Sequence, residues 1–255
     1  MIKGNLTDEV KVKSSTIEIL KLTDSLNRLR ISLHDQETLR KQLASDISHE
    51  LRTPLNIIQN ELEAMIDGIF EINNERLEGL HSEIVRLTSL VRELENITHI
   101  ESDSFIPDIQ NINLDDIIQH TVSTFEAAFN RKGIDLIMDL QHGIVVKAQA
   151  DKLAQVIINI ISNALKYTEE GSVTVRTYMT KNYAVFEVTD TGYGLSEADK
   201  SKIFERFYRV EKSRNRNAGG AGLGLSIVKK IVDAHGWHIE AESDGHSGTT
   251  FRVTF

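Results

Sequence analysis

The sequence predicts an α+β protein of two domains, a helical hairpin followed by a domain of mixed helices and strands. Before about residue 100, apolar residues recur at intervals of three and four, which is the period of amphipathic helices. Beyond Pro107, which marks a linker, helical segments alternate with short apolar runs that are typical of strands. The chain of 255 residues is long enough for about two domains.

The composition is that of an ordinary globular protein, with 40% hydrophobic and 26% charged residues. A formal net charge of -9 argues against binding of nucleic acid through neutralised phosphates. The chain has no cysteine, which excludes disulfides and thiolate metal sites and suits a reducing compartment. No apolar run approaches the roughly 20 residues of a membrane span, and the N-terminus is not a signal peptide, so we expect this piece to be soluble.

Four leucines near the N-terminus, Leu22, Leu26, Leu29 and Leu33, are spaced alternately by four and three residues. This spacing indicates the seam of a coiled coil, although any short amphipathic helix would also produce it. We therefore expect a helix here and leave its pairing open.

A strongly amphipathic helix is expected from about His34 to Ile69. At about 100° of rotation per residue, His49 lies on the side opposite to the apolar residues. The apolar side comprises Leu43, Ile47, Leu51, Pro54, Ile58, Leu62, Met65 and Ile69. The polar sector around His49 comprises Ser45, Arg52, Thr53 and Asn56. His49 is therefore expected to face a partner that arrives from solvent.

The neighbours of His49 favour a chemical role over that of an ordinary surface histidine. A neutral imidazole is a competent nucleophile near neutral pH, and Glu50 supplies a carboxylate that can orient the ring or accept its proton. Pro54 removes a helical hydrogen bond and usually bends the axis, which suggests a helix that must flex.

A second amphipathic helix is expected from about Glu75 to His99, after a turn over residues 68–74. Its apolar residues are Leu77, Leu80, Ile84, Leu87, Val91 and Leu94. An isolated hairpin of two such helices would leave apolar surface in water. Pairing of two copies would give a four-helix bundle, so we expect a homodimer held by residues such as Ile47, Leu51, Ile84 and Leu87.

The C-terminal domain is expected to place its helices on one face of a mostly antiparallel sheet. We expect helices at about 114–131 and 223–235, and strands at about 134–140, 144–148, 172–179, 183–189, 238–243 and 249–255. Lys181 and Asn182 would form the turn of the hairpin between the third and fourth of these strands.

A helix within residues 151–168 carries an unusual polar strip. Its members are Gln155, Asn159, Asn163 and Lys166. A solvated helix face would also be polar, but such faces usually carry Glu, Lys and Arg, whereas Asn is a weak helix former. Stacked amides with a lysine beyond them suit a divalent cation and phosphates.

Asp190 is a second candidate ligand contact, and two glycine-containing stretches follow it in the sequence. Asp190 ends a predicted strand, and Gly192 and Gly194 after it would let the backbone approach a flat ligand closely. A carboxylate at this position can accept a hydrogen bond from an exocyclic amine such as that of adenine. The run AGGAGLGL precedes a helix and could cradle phosphate at the positive helix end, although no strand precedes it as in a Rossmann fingerprint.

The segment SHELRTPL resembles the phosphoacceptor box of the sensor histidine kinases, in the subgroup with the pattern His-Glu-x-x-Thr. The resemblance implies that His49 is the residue phosphorylated and that Glu50 is its general base. It further implies that Thr53 positions a water for the reverse, phosphatase reaction.

Four further segments resemble the ATP-binding domain that histidine kinases share with gyrase, Hsp90 and MutL ATPases. NIISNALKY, DTGYG, FERFYR and GGAGLGL are similar to its Asn box, first Gly box, Phe box and second Gly box, and the terminal GTTF also matches. The resemblance implies an α/β sandwich of the GHKL, or Bergerat, type with ATP and Mg²⁺ as its ligands.

The same resemblance implies a set of ligand contacts. Asn159 would ligate Mg²⁺, and Asn163 and Lys166 would hold phosphates. Tyr167 would flank the nucleotide, and Asp190 would read adenine. The other implied contacts are Gly192, Gly194, Gly220, Gly222, Leu223, Gly224 and Thr249.

The Phe box and the last loop are less informative. Phe204 and Phe207 would anchor a mobile lid across about residues 208–220, and they would serve equally well as plain core. In GHSGTT, Ser247 stands where the family often has Gly, which puts only a minor loop contact in doubt.

The N-terminal segment, GNLTDEV followed by STIEILKLTDSLNRL, resembles the second half of a HAMP module, a helical relay between a membrane span and a kinase. We expect residues 1–33 to be that half-module, 34–103 the dimerisation and phosphotransfer hairpin, and 104–255 the catalytic ATP-binding domain. Membrane-spanning and sensing parts would precede this sequence, with the present residues on the cytoplasmic side of a bacterial cell membrane.

The resemblance as a whole implies a sensor histidine kinase that phosphorylates His49 with ATP and passes the group to an aspartate of a separate response regulator. Alternatives are an ATP-driven clamp of the gyrase or Hsp90 type and a non-catalytic scaffold. A clamp has no use for His49 on an amphipathic hairpin. A scaffold would not need Asn159, Asp190 and the glycines.

Overall fold

The computed structural model describes residues 16–100, 107–210, 222–245 and 247–255. These residues divide into two compact units, with the boundary between Ile84 and Val85 inside the second helix. The domain boundaries that the sequence predicts, at residues 33 and 103, differ from this boundary and remain predictions.

The first long helix, α1, spans Ile17–Ile66 and joins the expected leucine helix and the His49 helix into one element. It begins well before His34 because no Gly or Pro interrupts the sequence between Ile17 and Thr53. It ends three residues earlier than expected, where Gly68 adopts a left-handed φ of 70° and its N–H donates to the Met65 carbonyl at 3.2 Å.

Burial along α1 follows the predicted division between an apolar and a polar side at most positions, but Leu62 on the apolar side is 43% exposed. Pro54 and Met65 are buried, whereas His49 and Thr53 are exposed. Ile47, Leu51 and Ile58 are half-buried, and Ser45, Arg52 and Asn56 are exposed. Ile69 is 72% exposed because the helix has ended before it. The side chain of Leu43 lies outside the described residues.

The second helix, α2, spans Asn74–Ile100, close to the expected bounds. Asn73 favours its start, because the Asn73 Oδ1 atom accepts a hydrogen bond from the Arg76 N–H at 2.9 Å. Leu80, Leu90 and Leu94 are buried. Other members of its apolar stripe are exposed in a single chain, namely Leu77 by 47%, Ile84 by 49% and Val91 by 41%.

The second unit contains one five-stranded sheet and a separate two-stranded ladder. In chain order, the strands are β1 Gln110–Asn113, β2 Ile134–Leu140, β3 Val145–Ala148, β4 Gly171–Met179, β5 Ala184–Asp190, β6 His238–Glu242 and β7 Thr249–Thr254. The large sheet has the order β2-β4-β5-β7-β6, in which only β2 and β4 are parallel. The predicted mostly antiparallel sheet is therefore confirmed. Strand β1, which pairs with β3, was not predicted because QNIN has no apolar alternation.

Five helices accompany these strands in the described residues. They are α3 Leu114–Ser123, α4 Glu126–Lys132, α5 Ala150–Tyr167, α6 Glu197–Lys200 and α7 Gly224–His235. The prediction of a single helix over 114–131 is wrong, because the helix is interrupted between α3 and α4. At the break, the Thr124 hydroxyl donates to the Thr121 carbonyl at 2.7 Å and competes with helical pairing.

The core of this unit lies between the sheet and the apolar faces of α3, α5 and α7. Its fully buried side chains include Leu114, Ile118, Leu153, Ile157, Ile160, Ile161, Phe186, Ile227 and Ile231. The pairing of β5 with β7 places Asp190 opposite Thr249. Residues 59 positions apart are thereby brought to the same end of the sheet.

Candidate functional site

The second unit contains a cavity of about 270 Å³ at this end of the sheet. Its walls come from Glu93 on α2, from α5, the end of β5 and the loop after it, residues 203–210, the start of α7 and strand β7. The predicted ligand contacts that line it are Asn159, Asn163, Lys166, Tyr167, Asp190, Gly194, Gly222, Gly224 and Thr249. Residues from four separate predicted segments therefore share one cavity.

Two other predicted contacts do not line the cavity, and a third is not described. The two are Gly192 and Leu223, of which Leu223 is fully buried. Gln155, the first member of the polar strip on α5, does not line the cavity either. Gly220 lies outside the described residues.

Asp190 is held in a fixed orientation at the buried end of the cavity. The residue is only 5% exposed. Its Oδ1 atom accepts hydrogen bonds from the Gly192 N–H at 2.9 Å and from the Thr249 N–H at 3.2 Å. Burial raises the pKa of the Asp190 carboxyl, and the two N–H donors act in the opposite direction. A carboxylate fixed in this way has its second oxygen available to a donor on a ligand.

Gly192 is required by a close approach of two backbone segments. A Cβ atom at this position would lie 2.3 Å from the Tyr167 carbonyl oxygen and 2.9 Å from Asp190 Oδ1. Any side chain would therefore push the end of α5 away from the Asp190 loop. Gly192 therefore allows the end of α5 and the loop after β5 to lie close together.

The side-chain amide of Asn159 has a buried polar atom that a ligand could satisfy. Its Nδ2 atom is buried and has no hydrogen-bond partner in the part of the chain that the structure describes. Gly224 allows this close packing, since a Cβ there would lie 3.3 Å from Asn159 Oδ1. A buried N–H donor without a partner is costly unless a ligand supplies an acceptor, such as a phosphate oxygen. The oxygen of the same amide is a hard ligand of the kind that suits Mg²⁺. The residue therefore fits the metal-phosphate part of a nucleotide, with its N–H group suited to a phosphate and its oxygen suited to a cation.

Lys166 carries positive charge to the end of the same helix face. Its Nζ atom lies 4.7 Å from the centroid of the Tyr167 ring, a distance that suits a cation-π contact. The last turn of α5 thus brings an ammonium group and an aromatic face to the cavity. These groups suit the phosphates and the base of a nucleotide.

The segment that follows α6 is joined to the start of α7 through Gly222. Gly222 has a left-handed φ of 74°, and a Cβ there would lie 2.8 Å from the Tyr208 carbonyl oxygen. The Phe207 N–H donates to the Gly222 carbonyl at 3.0 Å, and Phe207 itself has a φ of 59°. Phe204 and Phe207 are half-buried. Most of the predicted lid, residues 211–220, lies outside the described residues.

Several cavity residues were not predicted. They are Glu93, Ser162, Tyr193, Leu195, Ile203, Tyr208, Arg209, Val210, Leu225 and Phe251. Tyr193 and Leu195 could have been found, because they alternate with the glycines of the DTGYGL segment. Ser162 precedes Asn163 on α5, but a serine carries little signal by itself. Phe251 reaches the cavity only through the pairing of β7, which no local pattern predicts.

The three residues predicted to act on a phosphoryl group lie on α1, in the first unit. His49 and Thr53 are exposed, and Glu50 is half-buried. The Thr53 hydroxyl donates to the His49 carbonyl at 3.4 Å, a long contact that a better acceptor could replace. The imidazole and the threonine hydroxyl are therefore open to a partner.

The described residues lack two further kinds of feature. No group of three or more His, Asp or Glu side chains with the geometry to hold a metal occurs in the described parts of the chain. None of the described helices is long and apolar enough to cross a membrane.

Two families match this sequence. Residues 39–103 match the family described as His Kinase A (phospho-acceptor) domain. Residues 148–255 match the family described as histidine kinase-, DNA gyrase B-, and HSP90-like ATPase, which is an ATP-binding domain.

Similar proteins cover nearly all of the chain. The signal transduction histidine-protein kinase BaeS of Escherichia coli K12 is 33% identical over 251 residues, which is 98% of this chain and 54% of BaeS. The signal transduction histidine-protein kinase ArlS of Staphylococcus aureus USA300 is 30% identical over 264 residues, which is 99% of this chain and 57% of ArlS. The chain thus spans about half the length of these relatives.

The same fold occurs in the histidine kinase ThkA, whose structure was solved in complex with the response regulator protein TrrA. The TM-score is 0.69 at 23% identity, over 94% of this chain and 68% of that chain. The architecture is therefore that of a helical phosphoacceptor region followed by an α/β ATPase domain of the GHKL type.

Proposed function

Because the chain belongs to the sensor histidine kinases of two-component systems, we propose that it transfers the γ-phosphoryl group of ATP to His49. The observation that carries this proposal is the cavity of the second unit. It combines a buried carboxylate, an amide whose buried Nδ2 atom has no hydrogen-bond partner among the described residues, and a lysine. These groups complement the base, the metal-phosphate part and the phosphates of ATP respectively.

Asp190 is the proposed determinant of the base. Its carboxylate accepts a hydrogen bond from the exocyclic amine of adenine, and the Gly192 and Thr249 N–H groups keep it oriented for that contact. Gly194 brings backbone close to the ring, and Tyr167 flanks it. A guanine or hypoxanthine base has a carbonyl at this position and would repel the carboxylate.

Asn163 and Lys166 are the proposed contacts to the phosphates, and Gly222 and Gly224 line the same cavity. Asn159 would hold Mg²⁺ through its amide oxygen. The chemistry that Mg²⁺ would supply when bound is positive charge beside the phosphates, which would offset the negative charge that develops during phosphoryl transfer. Lys166 acts on the same charge through its ammonium group, which is the electrostatic share of catalysis that this chain supplies directly.

His49 is the proposed nucleophile. A ring nitrogen attacks the γ-phosphorus, a P–N bond forms, the bond from phosphorus to the bridging oxygen breaks, and ADP leaves. Glu50 takes the proton that the imidazole releases, which keeps the product uncharged at the ring nitrogen. The exposed position of His49 on α1 suits a side chain that must be reached by another domain.

A separate response regulator is the proposed acceptor of the phosphoryl group, on an aspartate. Thr53 is proposed to position a water for the reverse hydrolysis of that phosphoaspartate, because its exposed hydroxyl lies one turn beyond His49. The two side chains therefore serve different reactions on the same helix face.

A homodimer is the proposed assembly of the helical hairpin. Leu55, Leu62, Leu77 and Ile84 are each more than 40% exposed in a single chain. Burial of such side chains against a second copy would stabilise a four-helix bundle, at about 25 cal/mol for each Å² of apolar surface.

The proposed domain limits are 1–33 for the half-module that resembles HAMP, 34–103 for the phosphotransfer hairpin and 104–255 for the ATP-binding domain. Residues 1–15 lie outside the described residues, and the rest of the first segment is helical and continuous with the His49 helix. In the full-length protein, this N-terminal part would connect to a membrane span.

Incubation of the chain with γ-labelled ATP and Mg²⁺ tests the proposal. We expect label on the protein that is lost in acid and kept in base, which is the behaviour of a phosphoramidate. Label that resists acid would indicate a hydroxyl acceptor and would exclude the phosphohistidine. ATP turnover without any protein-bound label would favour an ATP-driven clamp, and ATP binding without either would favour a scaffold.

A further inference from the structure

The side chain of Lys132, at the end of α4, reaches the C-terminal end of α5. Its Nζ atom donates to the carbonyl oxygens of Leu165 at 2.7 Å, Lys166 at 3.3 Å and Thr168 at 2.5 Å. These residues are more than thirty positions away in the sequence. One ammonium group therefore gathers three backbone carbonyls beside the cavity.

The last carbonyls of a helix lack partners within the helix and form its negative end. In α5 each of them has a specific neighbour. The Ala164 carbonyl accepts a hydrogen bond from the Thr168 hydroxyl at 2.8 Å. The next two carbonyls, of Leu165 and Lys166, accept from the Lys132 ammonium group. The Tyr167 carbonyl lies close to Gly192, because a Cβ atom added to this glycine would lie 2.3 Å from the carbonyl oxygen. The end of α5 is thus held on one side by Lys132 and pressed on the other against Gly192.

Gly192 connects this helix end to the carboxylate that we assign to adenine. The Gly192 N–H donates to Asp190 Oδ1 at 2.9 Å, so a shift of the glycine changes the orientation of the carboxylate. The contact between Gly192 and Tyr167 leaves no room for such a shift in one direction. A change at the end of α5 would therefore alter two parts of the cavity, the Lys166 and Tyr167 side chains and the Asp190 carboxylate.

We propose that Lys132 is a positioning residue for nucleotide recognition, which acts through the end of α5 and Gly192 on the adenine-reading carboxylate. The ammonium also offsets the negative end of α5, which would otherwise repel the phosphates of a nucleotide bound beside it. Lys132 does not line the cavity, so it touches no part of the ligand itself. This inference rests on the proposed function, since it assumes that the cavity binds ATP.

Binding of ADP and of IDP to the full chain, measured by isothermal titration calorimetry, tests this role. IDP has a carbonyl in place of the exocyclic amine of adenine, so the ratio of the two affinities reports on Asp190. The variants are Lys132→Met, which keeps the chain length without the charge, and Lys132→Arg, which restores charge and donors. Lys229→Met is the matched control, because Lys229 also holds an acceptor, Asp233 Oδ1 at 2.8 Å, on the outside of α7.

We expect Lys132→Met to weaken ADP binding by about three- to tenfold, roughly the effect of one neutral hydrogen bond, because Lys132 acts on the ligand only through the end of α5. The preference for ADP over IDP should fall in the same variant. Lys132→Arg should restore most of both quantities, and Lys229→Met should change neither. If Lys132→Met does not fold, as judged by circular dichroism, Lys132→Gln takes its place because it keeps two amide donors.

Three outcomes would overturn the proposal. A lower melting temperature with unchanged ADP affinity and unchanged preference would show that Lys132 only stabilises the fold. An equal loss in Lys229→Met would show that any lost surface charge has this effect. If the unmodified chain bound neither nucleotide, the ATP site would fail first, and the role of Lys132 with it.

Discussion

Helices α1 and α5 both carry a long apolar stripe, but the stripe of α5 is buried far more completely within one chain, with Ile158 as its exposed member. Leu153, Val156 and Ile157 on α5 are completely buried, whereas Leu55 and Leu62 on α1 are 50% and 43% exposed. The five-stranded sheet and helices α3 and α7 together supply the surface that covers α5. The ATP-binding domain thus has its own core, whereas the apolar stripe of the helical hairpin is left partly exposed in one chain, as the proposed homodimer requires.

The two regions also differ in how they present chemical groups. Asp190 is buried and held by two backbone N–H donors, which is a rigid arrangement for recognition of a ligand. His49 is exposed on a helix, which is an arrangement for a group that must meet different partners. Under the proposed function, the buried carboxylate would serve rigid binding in one region, and the exposed imidazole would serve chemistry in the other.

The substitution that should separate the two regions most completely is His49→Gln. We expect it to abolish acid-labile labelling from γ-labelled ATP, because the nucleophile is gone, while ADP affinity stays within about twofold since the cavity is in the other unit. Labelling and calorimetry on the same preparation provide the measurement. Arg52→Gln, on an exposed neighbouring position, is the control and should retain label. Persistent acid-labile label in His49→Gln would mean that another histidine is the acceptor.

A charge in the helical stripe should affect assembly and leave the ATP-binding domain folded. Leu87→Glu would place an unpaired carboxylate in the proposed dimer interface and weaken the dimer by several kcal/mol, roughly the cost of a buried unpaired charge. Light scattering over a range of protein concentrations would measure the shift to monomer. Ser82→Glu, at an exposed position on the same helix, should have little effect. A monomer of the unmodified chain at all concentrations would contradict the comparison.

Asp190→Asn should affect the rigid region alone. The amide presents a donor to the exocyclic amine of adenine, so ATP affinity should fall by about ten- to a hundredfold, the range for a hydrogen bond to a charged group. Calorimetric titration with ATP provides this measurement. Unchanged affinity would remove the proposed adenine contact.

We also expect the free energy of unfolding of Asp190→Asn, without nucleotide, to differ from that of the unmodified chain in a way that depends on pH. Because burial raises the pKa of Asp190, its native carboxyl binds a proton more tightly than the unfolded chain does. Its contribution to stability is present below the unfolded pKa of about 3.9 and is lost as pH rises through the native pKa. At pH 7 Asp190→Asn should therefore be at least as stable as the unmodified chain, and this advantage should shrink on acidification. Thermal unfolding at several pH values measures the difference, and a variant that is less stable at pH 7 would contradict it.

Thr53→Ala tests whether two reactions are separable within the helical region, and we expect the smallest effect here. Loss of one hydrogen bond to the hydrolytic water should lower dephosphorylation of the regulator by about tenfold or more, with little change in autophosphorylation. Both rates need to be measured with the cognate regulator on one preparation. Thr53→Ser, which keeps the hydroxyl, should restore dephosphorylation. Equal losses in both rates would assign Thr53 only to support of the helix.

Local patterns determined most of the elements and the family. The strand Ile134–Leu140 and the hairpin around Lys181 and Asn182 were predictable because alternation and turn residues act within a few positions. The faces of α1 were predictable for the same reason, since helical period depends only on neighbouring residues. The motifs around His49 and Asn159 then identified the kind of protein, because they occur in a fixed order along the chain.

The tertiary structure decided which distant residues share the site. Asp190 meets the Thr249 N–H only because β5 and β7 pair in one particular register, and Phe251 enters the cavity wall through the same pairing. Lys132 reaches the end of α5 only because α4 and α5 are packed on the same domain core. Such contacts depend on the packing of whole elements, which summed local preferences do not specify, and so the supports of the cavity could be found only in the folded chain.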